Sequence, residues 1–262
     1  MAIPSPSLAS ELAPHFLETR SSPTESSAGL TSQMQHRLAI VNFWAIAPGS
    51  PDYCTPPLGS AQRHILTTPL GARIRFHHAT ATAYVETYAG PAYDYIVLAH
   101  SLWYFATPAV LPGLLAALTP HLSPSTSLCI AEWSLHASSP ACTPHVWTAL
   151  LRALLEAKRA VPSAANIRTV VSPSQVKNIV ITHSPLKLIK EEIIPTNHGM
   201  QDGFWEVSYT LRKRDKDMRR LVDKGVSDAE RVQVEASFDA LQGEAGVEGV
   251  RSMDFWVAVF GP

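Results

Sequence analysis

The sequence predicts a three-layer α/β domain, with a mostly parallel sheet and helices on both faces. Two observations carry this. First, a short apolar run rich in Ile, Val and Tyr (residues 93–99), a leucine-rich helical segment (109–122) and a second apolar run (127–132) follow one another. Strands apolar on both faces, joined by a crossover helix, belong side by side in a parallel sheet with a right-handed connection. Second, polar and aromatic residues stand just past both runs: His100, Ser101, Trp103 and Tyr104 after the first, Glu132 and Trp133 after the second. In open α/β sheets that carboxyl edge is where ligands bind. The segment 93–99, apolar throughout, is expected as a central strand.

The remaining elements follow in order. Residues 1–36 are rich in Ser, Pro, Thr and Ala. Too few large apolar side chains are present there to offset ordering entropy, so disorder is expected, with one short helix near 8–17. From Arg37 to Pro262 the composition is that of one folded domain. Residues 38–46 read as a strand ended by Pro48-Gly49, 58–67 as a helix and 72–77 as a strand. Pro108 and Pro112 bracket the start of the helical segment, tolerated in a first turn. A long helix is predicted over 143–160, with Trp147, Leu150, Leu151, Leu154 and Leu155 on one face. Ser172-Pro173 opens another helix, Ser as N-cap and Pro in the first turn. Residues 186–194 read as a strand, and 205–209 are open between a strand and the start of a basic helix through 222. A helix over 228–241 and a closing strand over 252–260 complete the series.

Bulk properties exclude several classes. The chain has 262 residues, enough for one sizeable core, and a formal charge of -1. The basic cluster from Arg212 to Arg220 is interrupted by Asp215 and Asp217, which suits a solvated helix face better than a nucleic-acid footprint. Cys54, Cys129 and Cys142 lack metal-ligand or redox spacing, and an odd, small number fits a reducing compartment. No apolar run reaches bilayer-spanning length, and no secretory leader pattern opens the chain. A cytoplasmic protein that binds neither nucleic acid nor membrane is expected.

The pattern Tyr-Asp-Tyr-Ile-Val-Leu-Ala-His-Ser-Leu-Trp-Tyr-Phe (93–105) resembles the fourth strand of class I S-adenosylmethionine-dependent methyltransferases. More narrowly it is similar to fungal methyltransferase-domain proteins, several of them tailoring enzymes of secondary metabolism. Four further segments agree in order: residues 45–53, 166–169 with Ser172-Pro173, 201–207 and 253–256. The resemblance implies a Rossmann-like fold with an antiparallel closing strand, S-adenosyl-L-methionine as cofactor and a small-molecule acceptor. It places cofactor contacts at Ala47, Pro48, Gly49, Ser50, Tyr53, Thr80, Ala81 and His100. Substrate contacts fall at Trp103, Tyr104 and Trp133, and catalytic groups at His100 and Glu132.

The chain departs from the family at two points. A glycine-rich turn normally follows the first strand, where the backbone approaches the cofactor closely. None of the 13 glycines here is separated from another by one residue, and only Gly29 precedes Pro48. Relative to the family the domain therefore reads as N-terminally truncated, beginning at the second strand. Where related enzymes carry Asp to accept ribose hydrogen bonds, residue 47 is Ala. Losing two charge-assisted hydrogen bonds costs about 2–4 kcal/mol of binding.

Each candidate has a structural counterpart. Pro48-Gly49-Ser50-Pro51 also reads as a plain turn. His77 and His78 point to opposite faces of an extended segment and cannot chelate together, so no metal site is expected. His100 fits either a general base or a packed loop histidine. Trp103 and Tyr104 fit core or rim packing as well as substrate stacking. Glu132 fits either an acceptor-orienting carboxylate or a structural partner. Gln201-Asp202-Gly203 carries turn chemistry, and Trp205 and Trp256 read as core. Two functions stay open: a small-molecule methyltransferase, or an inactive relative that binds a partner, a second copy or a metabolite, with an exposed sheet edge for pairing.

Overall fold

The computed structural model describes residues 58–262 except 68–70, 162, 164, 197, 198, 224, 247 and 248. The expected N-terminal segment 1–36, the strand at 38–46 and the loop at 47–53 lie outside the described residues. Helix α1 (Leu58–Thr67) and the short α2 (Ala81–Glu86) precede β1 (Tyr95–Ala99). Then come α3 (Val110–Leu118), β2 (Ser127–Trp133), α4 (Thr143–Ala157), α5 (Pro173–His183) and β3 (Lys187–Ile194). The chain closes with α6 (Asp202–Arg212), α7 (Arg214–Asp223), α8 (Asp228–Ala245) and β4 (Phe255–Gly261).

The strand order is β1-β2-β4-β3. β1 and β2 are parallel, with Ala99 opposite Ala131. β4 runs antiparallel to β2, with Trp256 opposite Glu132, and antiparallel to β3. The closing strand is thus antiparallel, as the resemblance implies. Because β4 runs against β2, the start of β4 lies beside the carboxyl ends of β1 and β2. The described sheet is mixed, with one parallel pair.

Helices flank this sheet. α3 packs against α2 and α5, while α4, α6 and α8 pack together. Leu128, Ile130, Trp256 and Phe260 of the sheet join Leu111, Leu114, Leu115 and Val176 in one core. Leu151, Leu155, Val207, Val234 and Phe238 form a second, helix-only core. The start of α5 is set locally by a capping box: Ser172 Oγ accepts from Gln175 N, and Gln175 Oε1 accepts from Ser172 N.

Among the described residues β1 pairs with β2 on one side and Tyr95 is exposed; the expected strand at 38–46 lies outside the described residues. Two expectations are corrected. Residues 72–77 form a 3-10 turn and extended chain, not a strand. Alternation alone does not supply the hydrogen-bonding neighbour a strand needs. On α4 the apolar stripe divides: Leu151 and Leu155 are buried, whereas Trp147, Leu150 and Leu154 are exposed. The buried face of α4 instead includes His145, Thr148, Ala149 and Glu156. Residues 205–209, open from sequence, are helical.

Candidate functional site

The carboxyl edge of β1 and β2 gathers the chain's least relaxed residues. Among the described residues, only His100 (φ 44°) and Leu135 (φ 58°) combine a side chain with left-handed backbone. That conformation is uncommon for residues other than Gly, Asn and Asp, and it persists only where surroundings enforce it. One residue follows β1 directly; the other lies two residues past β2. His100 N donates to Ala131 O at 2.7 Å, continuing the β1–β2 ladder by one bond.

Glu132 enforces the turn. Its side chain is 2% exposed, and both oxygens accept backbone amides: Oε2 from Leu102 N (2.9 Å), Oε1 from Trp133 N (3.0 Å). His100 Nδ1 lies 3.5 Å from Oε1. Glu132 therefore ties the loop after β1 to the end of β2. The His100 ring rests against Trp133 (centroids 4.6 Å apart), with Phe255 at 6.4 Å.

Other sequence candidates separate. Trp103 is buried, donates from Nε1 to Val171 O at 3.2 Å and is part of the core. Tyr104 is exposed on the rim. Trp133 lies between His100 and His145, whose centroid is 4.9 Å away. Thr80 is the N-cap of α2, its Oγ1 accepting from Ala83 N at 3.2 Å, and Ala81 packs on the core. Neither is brought to the His100–Trp133 cluster by any contact seen. Ala47, Pro48, Gly49, Ser50 and Tyr53 lie outside the described residues.

Sequence reasoning passed over a polar group behind Trp133. Buried His145 accepts from Met253 N at Nδ1 (3.0 Å), which puts the ring proton on Nε2. Burial holds this imidazole down at about 4; the Asp202 carboxylate pulls the other way, and His100 adds to the lowering. Asp202 opens α6, whose start is pinned by a close approach. A Cβ on Gly203 would meet Arg251 O at 2.5 Å, and Gly203 N donates to Ser252 Oγ at 2.9 Å. One turn on, burial pushes the Glu206 carboxyl up to about 7; Asp202 adds to the rise, while Arg152 and a hydrogen bond with Asn166 oppose it. Asn166 belongs to one segment of the resemblance and Asp202 and Glu206 to another, so their order in the sequence was the available signal.

These two groups give opposite pH slopes. Glu206 titrates above its ordinary 4.5, so its contribution to stability is full at low pH and is lost as pH rises through about 7. His145 titrates below its ordinary 6.5, so stability falls as pH drops from there toward about 4. Because the two slopes oppose each other, chemical denaturation of the wild type and Glu206→Gln between about pH 5 and 7 is expected to show the wild type losing stability relative to the variant as pH rises. Parallel curves would contradict the Glu206 assignment.

The residues present fit a polar ligand at this edge. Ser101 Oγ, between His100 and Leu102, is buried and has no hydrogen-bond partner among the described residues. A buried hydroxyl left unpaired costs about 1–3 kcal/mol, and a ligand's polar group beside His100 would satisfy it. No cluster of three metal-ligating side chains occurs among the described residues, and none of the described helices is long and apolar enough to cross a membrane.

The sheet order, its antiparallel closing strand and the polar carboxyl edge define the class I methyltransferase fold. The sequence agrees. Two methyltransferases of Diaporthe leptostromiformis, phomM' and phomM, are 29% and 28% identical to this chain over 160 residues, which is 55% of this chain and 41% of each relative. This chain thus matches about two fifths of the length of those curated relatives. The crystal structure of a cyclopropane-fatty-acyl-phospholipid synthase-like protein from Lactobacillus casei ATCC 334 superposes with a TM-score of 0.63 and 27% identity, covering 82% of this chain and 73% of that one. No family profile matches. By sequence and fold the chain is similar to class I methyltransferases.

Proposed function

We propose that this chain is an S-adenosylmethionine-dependent methyltransferase acting on a small-molecule acceptor at the carboxyl edge of β1 and β2. One observation carries the proposal: strain at His100 and Leu135 and the unpaired Ser101 hydroxyl all fall on the edge where this fold class binds ligands. When bound, the cofactor supplies an electrophilic methyl group on a sulfonium. Ser101 Oγ and His100 are the described groups that would hold it. Catalysis in such a site is largely orientation, with Trp133 and Phe255 walling the cluster beside His100. The proposal keeps the protein cytoplasmic and away from nucleic acid, in line with its charge of -1.

Calorimetry with S-adenosylhomocysteine tests this. Binding is expected, but weaker than micromolar, because Ala47 offers no ribose acceptor. Ala47→Asp is expected to tighten it by about 5- to 30-fold, the worth of one or two hydrogen bonds. No heat at millimolar ligand in either protein would contradict the proposal.

A second reading is favoured by Ala47 and the lack of closely spaced glycines: an inactive relative that binds a partner chain. The outer side of β1, unpaired among the described residues, is where a partner or second copy would add a strand.

A further inference from the structure

A second imidazole–carboxylate pair stands on the same edge, at residues that neither the sequence motifs nor the comparisons assign. Asp254 precedes β4 and is 1% exposed; His136 follows β2 and is 57% exposed. His136 Nδ1 lies 2.7 Å from Asp254 Oδ2. A carboxylate only accepts, so Nδ1 carries the proton in this contact, and Nε2 is the ring nitrogen left to act as an acceptor.

The pair is held rigidly. Ser138 Oγ donates to Asp254 Oδ1 at 2.8 Å, and Asp254 N donates to His136 O at 3.0 Å. Ser134 donates to Asp254 O through both N (3.0 Å) and Oγ (2.8 Å), while its Oγ accepts from His136 N (3.1 Å). Leu135, one of the two strained residues, is the corner that turns His136 toward Asp254. β2 lies between β1 and β4, and neighbouring strands sit about 4.8 Å apart. His100 and Asp254 therefore lie on opposite sides of the end of β2, Asp254 two residues further along it. His100 packs at a tilt against Trp133 near buried Glu132, whereas His136 presents its ring to solvent.

We propose that His136, oriented by Asp254, is the proton acceptor for the methyl acceptor, and that the substrate class is one whose nucleophilic oxygen or nitrogen must shed a proton: an alcohol, a phenol or an ammonium group. The O–H or N–H bond breaks, its proton passes to His136 Nε2, and the electron pair stays on the acceptor atom. The proton then leaves to solvent. His136 is the catalytic residue of this step and Asp254 its positioning residue. The proposal rests on the methyltransferase reading for its substrate but not for its chemistry, which a substrate-free probe can read.

That probe is diethyl pyrocarbonate, which an unprotonated imidazole nitrogen attacks, expelling ethyl carbonate. Carbethoxylation of the full chain at neutral pH is followed residue by residue by mass spectrometry, with His183, exposed at the end of α5, as internal reference. His136 is expected to react about 5- to 10-fold faster than His183, the worth of one oriented hydrogen bond. Asp254→Asn is expected to abolish that advantage, and Ser138→Ala, which spares the His136 contact, to retain it while lowering stability. A His136 rate equal to that of His183, or one unchanged in folded Asp254→Asn, overturns the proposal. If Asp254→Asn does not fold, the wild-type ratio decides alone. Calorimetry on the same preparation separates the two readings. S-adenosylhomocysteine binding with an ordinary His136 sinks this inference only, and a fast His136 without binding sinks the methyltransferase reading only.

Discussion

Glu132→Ala is expected to destabilise the domain by about 2–4 kcal/mol and to release the loop carrying His100, Ser101 and Tyr104. The carboxylate is buried and accepts from two backbone amides, one in the loop after β1 and one at the end of β2. Removing it leaves Leu102 N and Trp133 N unpaired in a site that water enters poorly. It also removes what holds His100 in its left-handed conformation, so the backbone relaxes and the His100–Trp133 ring contact opens. The loss corresponds to about 5–15 °C in melting temperature for a domain of this size. Glu132→Gln, which keeps an accepting oxygen, should cost less. Thermal denaturation with near-ultraviolet circular dichroism of Trp133 checks both parts. A loss below about 1 kcal/mol with an unchanged tryptophan signal would mean that the turn is held by something else.

Phe260→Ala should cost about 3–5 kcal/mol, the usual range for emptying a buried aromatic position. Phe260 is fully buried in β4, opposite Leu128 of β2 and Leu188 of β3, where the strands on either side converge on the main core. Those neighbours are fixed by ladder hydrogen bonds and cannot collapse into the space. Phe260→Leu, which refills most of the volume, is expected to recover more than half of the loss in urea denaturation. Equal losses for the two variants would show that ring geometry, not volume, is what the core requires.

The fold was largely legible because its signals are local. The apolar runs that became β1 and β2, the Ser172-Pro173 helix start and the closing strand each announce themselves within a dozen residues. Helix α1 matches the sequence expectation at both ends. What failed depended on partners distant in sequence. Residues 72–77 have strand-like alternation but no ladder.

The placement of the candidate site was legible in outline. The motif from His100 to Tyr104 does lie at the carboxyl edge, and Glu132 does stand near His100. Roles were not legible, because they turn on which way a side chain faces. Trp103 and Tyr104 are adjacent, yet one is core and the other rim. Glu132 turns inward onto amides. The His136–Asp254 pair spans 118 residues, and its only sequence trace was Asp254 inside a segment quoted for its resemblance.

The central claim is that this strained, polar edge is a ligand site. Titrating the isotope-labelled full chain with S-adenosylhomocysteine and following its amide resonances tests that most directly. The expected result is that shifts concentrate at residues 99–104 and 132–138, with Ser101 and His100 among the largest, and that Ser101→Ala weakens the response without lowering the stability of the free protein. Shifts confined to the apolar groove lined by Leu154, Leu221, Val226 and Val234 between α4, α7 and α8, or no shifts at millimolar ligand, would contradict it.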